Sequence, residues 1–230
     1  MRVELQPGYI LHTRPYRDTS LLVDVLTPDF GRLSLIARGA RRPKQKIRYW
    51  LQPFIPVILS WQGKHALKTL IDIEGGATTP MLEGSKLYSA MYINELLVYL
   101  LREEDHQSDY YVLYQRVLEA FAGSDDIESI LRYFEFSLLE SLGYGINFST
   151  DANSGHGIDA TKYYRFKADT GFIHESDGSY SPRYTGSVLA AVEANDLNLK
   201  DVRLAAKAIA RQALAPHLNG RVLKSRELFK

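Results

Sequence analysis

The sequence predicts an α+β protein of two parts. A small N-terminal β-barrel covers residues 1–78. A helical C-terminal domain covers 79–230 and carries an irregular loop and hairpin at about 145–182. Three observations predict this. Five short segments rich in Val, Ile, Leu and Tyr, separated by turn signals, fill residues 1–75. Near residue 80 the apolar spacing lengthens from two to three and four. From Gly145 to Asp159, Gly, Asn and Ser replace any apolar period.

Gly8–Thr13 and Ser20–Leu26 read as strands, with Asp18-Thr19 in the turn between them. Pro28-Asp29-Phe30-Gly31 is a second turn, in which Gly31 can take positive φ. Along Arg32–Arg38, Leu33, Leu35 and Ala37 face one way and Arg32, Ser34 and Ile36 the other, the period of a half-buried strand. Gln52–Trp61 is a fourth strand, which Pro53 and Pro56 place at an edge or a bulge. Gln62-Gly63 turns the chain into a fifth, His65–Ile73.

Pro80 precedes a helix from Ser85 to Glu103, whose apolar positions Leu87, Ala90, Met91, Ile93, Leu96, Leu97, Leu100 and Leu101 recur at three and four. Tyr110–Ala122 is a second helix, ended by Gly123. Asp125 or Asp126 caps a third, which runs to Leu142 with Gly143 as its C′ residue. Tyr163–Phe166 and Gly171–His174 pair as a hairpin. Gly186–Asn195 is a short helix and Leu199–Leu218 a long one, followed by the basic tail GRVLKSRELFK.

The net charge of +1 hides a strong segregation. Residues 1–71 hold twelve Lys/Arg and four Asp/Glu, or +8, residues 72–199 sum to −13, and residues 200–230 sum to +6. Between Phe30 and Ile71 there are nine basic side chains and no acidic one. Such segregation points to a polyanion partner, or to an acidic middle that neutralises basic ends within one fold. The chain has no cysteine, which excludes disulfides, thiolate zinc sites and a cysteine nucleophile. It also fits a reducing compartment. The first residues lack an uninterrupted apolar stretch, and the longest apolar runs, such as Leu96–Leu101, fall far short of a membrane span. The expected setting is the cytoplasm.

The strongest constellation is Arg38-Gly-Ala-Arg41-Arg42-Pro-Lys44-Gln-Lys46-Ile-Arg48-Tyr49-Trp50, with six cations in eleven residues. Gly39 and Pro43 disfavour regular structure, so the run reads as a loop between strands. On a small barrel such a loop borders a groove that tracks a nucleic-acid backbone, and nearby aromatics stack bases. Arg32, Arg38, Arg41, Arg42, Lys44, Lys46, Arg48 and Trp50 are the candidate strand contacts. The same run also fits a solvated loop with Trp50 in the core. Arg203, Lys207 and Arg211, spaced by four, share one face of the last long helix. They suit an acidic ligand, or pairing with the acidic middle of the chain. Arg132, beside Tyr133-Phe134 in an acidic stretch, can receive a carboxylate in a bidentate fork or pair with Glu128 or Glu135.

Catalytic signatures are lacking. His12, His65, His106, His156, His174 and His217 show no metal-ligand spacing, and neither a G-x-x-x-x-G-K-[ST] loop nor a G-x-S-x-G elbow occurs. Glu103-Glu104-Asp105 reads as a solvated acidic cluster. The residues therefore indicate no enzyme and no cofactor.

The segments LHTRPYRDTSLLVDVLTPDFGRLSLIARGAR, LQPFIPVILSWQGKHALKTL, LYSAMYINELL, LRYFEFSLLESLGYGINF and LKSRELF span residues 11–229. As an ordered set they resemble the bacterial recombination mediator family RecO. The resemblance implies an N-terminal oligonucleotide-binding (OB) barrel and a helical C-terminal domain. It implies binding of single- and double-stranded DNA, strand annealing, and work with RecR in loading RecA onto strands covered by single-strand-binding protein (SSB). No ATP is used in this family. Some members carry a four-cysteine zinc site in the loop that here runs from Asn147 to Glu175. Without cysteine that loop must be held by packing and hydrogen bonds. The family also binds the acidic C-terminal tail of SSB through its helical domain. Arg132 lies in the matching helix, while Arg203, Lys207 and Arg211 rest on charge and spacing. The expectation is a DNA-annealing mediator. The alternative is a protein-interaction adaptor whose basic surfaces bind acidic peptides.

Overall fold

The computed structural model of the chain describes residues 1–43, 46–76, 81–105 and 108–229. They form two compact units: Met1–Asp125 together with Leu223–Lys230, and Asp126–Val222. The chain thus returns to its first unit at the C-terminus. The division expected between residues 78 and 79 lies outside the described residues.

In the first unit five strands pair in a ring, β1 (Arg2–Tyr16), β2 (Ser20–Thr27), β3 (Gly31–Ala37), β5 (Leu67–Gly75) and β4 (Pro56–Gln62). The long β1 serves two neighbours, pairing with β4 through its first half and with β2 through its second. Its register shifts between Val3 and Gln6, where Leu5 takes φ +54° and donates its N–H to Ser60 Oγ at 3.1 Å. A bulge of this kind bends a strand enough to close a small barrel. The ring closes through a parallel ladder of three residue pairs, from Ser34↔Leu67 to Ile36↔Thr69.

Inside lie Ile10, Val23, Val25, Leu33, Leu35, Val57, Leu59 and Trp61, all essentially excluded from solvent. The alternation along β3 therefore fixes its inward face as the sequence predicts. The expected fourth strand begins four residues late, at Pro56, because a proline fits at a strand's first residue better than within it. Gly31 takes φ +60°, and a Cβ there would lie 1.9 Å from the Asp105 carbonyl oxygen. Only glycine fits that approach.

Two long helices belong to this unit, α2 (Gly84–Leu100) and α3 (Ser108–Gly123). Buried Asn94 on α2 donates to the Leu11 carbonyl at 2.8 Å and accepts from the Tyr114 hydroxyl at 2.7 Å. One side chain thereby joins β1, α2 and α3. Burial pushes the Tyr9 phenol up to about 12 and raises Tyr114 further, so both stay neutral. The C-terminal segment is a 3-10 helix, Lys224–Phe229, against α2. The Glu95 carboxylate accepts from the Lys224 and Ser225 N–H groups at 2.9 Å and from Ser225 Oγ at 2.6 Å.

The second unit opens with α4 (Ile127–Ser141), capped by Asp126, which accepts from Ser129 N. Gly143 at φ +83° follows its end. The hairpin β6 (Tyr163–Lys167) and β7 (Gly171–His174) gains a short third strand, β8 (Tyr184–Thr185), before α5 (Gly186–Glu193) and α6 (Lys200–Leu214). Phe148, Tyr164, Phe172, Leu189, Val192 and Ile209 form its core. The preceding loop is fastened to the hairpin by hydrogen bonds. Asp151 accepts from Asn153 N, Ser154 Oγ and His174 N, Ala152 N donates to Phe172 O at 2.7 Å, and Asp159 N donates to the Tyr164 hydroxyl at 2.9 Å. Among the described residues no helix is long and apolar enough to cross a membrane.

Asn94→Leu leaves the Leu11 carbonyl and the Tyr114 hydroxyl buried without their partner. Urea denaturation should show a loss of about 1–3 kcal/mol, against a smaller loss for Tyr114→Phe.

Candidate nucleic-acid interface

The cations of the barrel fall into two groups. Arg32 is held inside a network. Its Nε donates to the Leu101 carbonyl at 3.0 Å, and its Nη1 lies 3.3 Å from Asp24 and 3.7 Å from Glu103. Ser34 Oγ sits 2.8 Å from both Asp24 Oδ1 and Glu103 Oε1. Lys68 pairs with Glu104 in the same way. Burial alone would raise the Asp24 carboxyl, but hydrogen bonds from His12 and Ser34 and the charge of Arg32 hold it below 3.8. Two expectations change here. Arg32, read as a strand contact, is 12% exposed and bound to carboxylates. Glu103 and Glu104, read as solvated, are its partner and that of Lys68. The sequence hides this because the paired groups are about seventy and thirty-six positions apart.

Arg38, Arg41, Arg42, Lys46 and Arg48 form the second group and are exposed. Among the described residues none of them pairs with a carboxylate. Lys44 lies outside the described residues. Gly39, at φ +69°, lets the chain turn, and Arg42 N closes the turn on Gly39 O at 3.0 Å. Arg41 then reaches the β1–β2 hairpin, donating its N–H to Thr19 O at 2.8 Å and its Nη1 to Arg17 O at 3.3 Å. This joins two turns and adds the exposed Arg14 and Arg17, which the sequence reading missed. Their only signal was position beside a predicted turn. Tyr16 stands with them, the Arg17 guanidinium 5.2 Å from its ring centre.

The basic run is not loop throughout, since Ile47–Trp50 makes one helical turn, α1. That turn sends Trp50 onto the barrel, where its ring lies so close to Gly75 that a Cβ there would sit 2.4 Å from it. Tyr49 is left 60% exposed, its ring edge-on to Trp50 at 4.7 Å. The displayed aromatic of the pair is therefore Tyr49. An open groove of about 510 Å³ runs beside the hairpin, lined by Arg14, Tyr16, Leu22, Ser34, Leu67 and Glu103. The exposed Lys64 and His65 immediately precede its β5 edge.

In the helical unit Arg132 is 6% exposed, its Nη2 2.8 Å and its Nε 2.6 Å from the buried Glu135 carboxylate. Of the two pairings open in the sequence, the structure takes Glu135. Arg203 and Lys207 do share a face of α6, and both approach Glu128, at 4.0 and 3.8 Å. Arg203 also donates to the Leu197 carbonyl. Arg211 is exposed, with no carboxylate paired to it among the described residues.

Two family profiles match consecutive parts of the chain. "Recombination protein O N terminal" covers residues 1–77 and "Recombination protein O C terminal" residues 81–227. Similar chains named "DNA repair protein RecO" come from Cellvibrio japonicus, 44% identical over all of this chain and 98% of its relative, and Haemophilus influenzae, 44% identical over 100% and 97%. A third, from Methylococcus capsulatus, is 39% identical over 100% and 94%.

Arg132 neutralises a buried carboxylate. Arg132→Ala should cost about 3–5 kcal/mol in urea denaturation, and Arg132→Met with Glu135→Leu should recover most of that loss.

Proposed function

The chain belongs to the RecO family of DNA repair proteins, and we propose from that premise that it is a non-catalytic mediator that binds and anneals DNA strands at the basic end of its barrel. The observation that carries the reading is the junction of two cationic turns. Arg41 ties the β3–α1 turn to the β1–β2 hairpin, so that Arg14, Arg17, Arg38, Arg41 and Arg42 serve one surface, with no carboxylate paired to them among the described residues. A polyanion gains there from counterion release. Six phosphate contacts to a single strand would give log K a slope on log salt of roughly −4. Annealing needs no covalent step. Cations screen the repulsion between two strands and raise their local concentration, and base pairing then completes the duplex.

In this reading the protein works with RecR to help RecA load onto SSB-coated strands. The acidic SSB tail is met on the helical unit. Arg211, exposed and without a paired carboxylate among the described residues, takes part directly, and Arg203 and Lys207 are released by exchanging Glu128 for a tail carboxylate. Arg132 contributes by holding Glu135 and shaping α4, and contacts the tail only if that pair opens.

Reversing Arg38, Arg41, Arg42 and Lys46 to Glu should cut annealing of complementary oligonucleotides at least tenfold and lower the salt slope by about 3. The thermal melt should stay unchanged. Annealing at the wild-type rate would show that the turns are not the strand site. If the wild-type protein has no oligonucleotide affinity even at low salt, the basic surfaces serve acidic peptides and the adaptor reading holds.

A further inference from the structure

We propose that the groove between the β1–β2 hairpin and the start of β5 receives one unpaired base of the strand and prefers a base with an exocyclic amino group. The inference rests on the strand-binding reading above and adds a chemical selectivity to it.

The groove's volume, about 510 Å³, lies within the range that encloses small planar ligands. Its walls suit a flat heterocycle. Leu22 and the partly exposed Leu67 offer apolar contact, and the half-buried ring of Tyr16 offers a stacking face. Its polar edge is made by Ser34 and Glu103. Arg14 stands at the rim, and Arg17, next to Tyr16, is bound through its carbonyl to Arg41. Cations therefore stand on the hairpin side of the groove, where a phosphate next to an inserted base would lie.

Selectivity follows from the acceptors at that edge. Glu103 Oε1 faces Ser34 Oγ at 2.8 Å and Arg32 at 3.7 Å, while no described residue bonds Oε2, and the side chain is 37% exposed. An ionised carboxylate accepts hydrogen bonds and donates none. The single Ser34 hydrogen is shared between Asp24 and Glu103, so the hydroxyl has none to spare. The N4 amino group of cytosine or the N6 amino group of adenine meets such an edge as a donor. Thymine turns O4 to it as an acceptor against an acceptor, and its one donor, N3–H, is flanked by two carbonyl oxygens that the carboxylate repels. Arg32 offsets one of the two carboxylate charges there, Asp24 and Glu103, and Arg14 at the rim supplies a second cation, which lets the edge lie near a phosphodiester backbone.

The test is fluorescence anisotropy on the full chain at low salt, with ten-residue oligomers of dC, of dT, and of abasic sugar-phosphate. Wild type should bind dC about tenfold more tightly than dT. Glu103→Gln, which keeps an acceptor for Arg32 and adds a donor, should abolish or reverse that preference. Tyr16→Ala should bring dC affinity toward that of the abasic oligomer and leave abasic binding unchanged. Equal wild-type affinity for dC and dT overturns the inference, as does equal loss on dC and abasic oligomers for Tyr16→Ala, while strand binding itself stands. Failure of the wild type to bind any oligomer overturns the strand-binding reading, and this inference falls with it.

Discussion

Arg32 leaves β3 on the outer side of the barrel, opposite the inward Leu33, and there meets Asp24, Glu103 and the Leu101 carbonyl. A charge removed from water costs several kcal/mol unless its surroundings replace the lost hydration. The segment that follows α2 supplies that replacement. It is fixed in turn by Glu104 N donating to Arg32 O at 2.8 Å and by the Asp105 backbone lying against Gly31. The pairing of Lys68 with Glu104 adds a second tie. A stretch of acidic chain is thereby held on the barrel by two of the cations between Phe30 and Ile71.

The same constraint decides which cations remain available. Glu103 and Glu104 are engaged at β3 and β5 by Arg32 and Lys68. Arg14, Arg17, Arg38, Arg41, Arg42, Lys46 and Arg48 keep no carboxylate partner among the described residues. Neutralisation within the fold, one of the two alternatives the charge count left, accounts for Arg32 and Lys68, while the turn cations stay exposed. In the helical unit the balance differs: Arg132, Arg203 and Lys207 each have an acidic neighbour on α4.

The parts of the fold that the sequence shows well are those with an uninterrupted period. β2, β3 and the four long helices, α2, α3, α4 and α6, stand within a few residues of their expected places. The start of β1 was hidden because the bulge at Leu5 breaks the alternation, and α1 because four residues are too few to show a helical repeat. The C-terminal 3-10 helix depends on Glu95, more than a hundred residues earlier, and left no local trace. At the site, clustering of cations in the chain was legible because charge density is a local property. Pairing was not, because Arg32 and Glu103 meet only through the fold. Trp50 and Tyr49 could not be told apart by composition, and one helical turn determines which ring faces water.

The central claim is a division of labour among the arginines, and the most direct measurement of it is NMR of the arginine Nε–Hε groups during titration with a short oligonucleotide. The account predicts that the resonances of Arg17, Arg38, Arg41, Arg42 and Arg48 shift, that added salt reverses the shifts, and that Arg32 does not move. Movement of Arg32 with the turn arginines unchanged would contradict it.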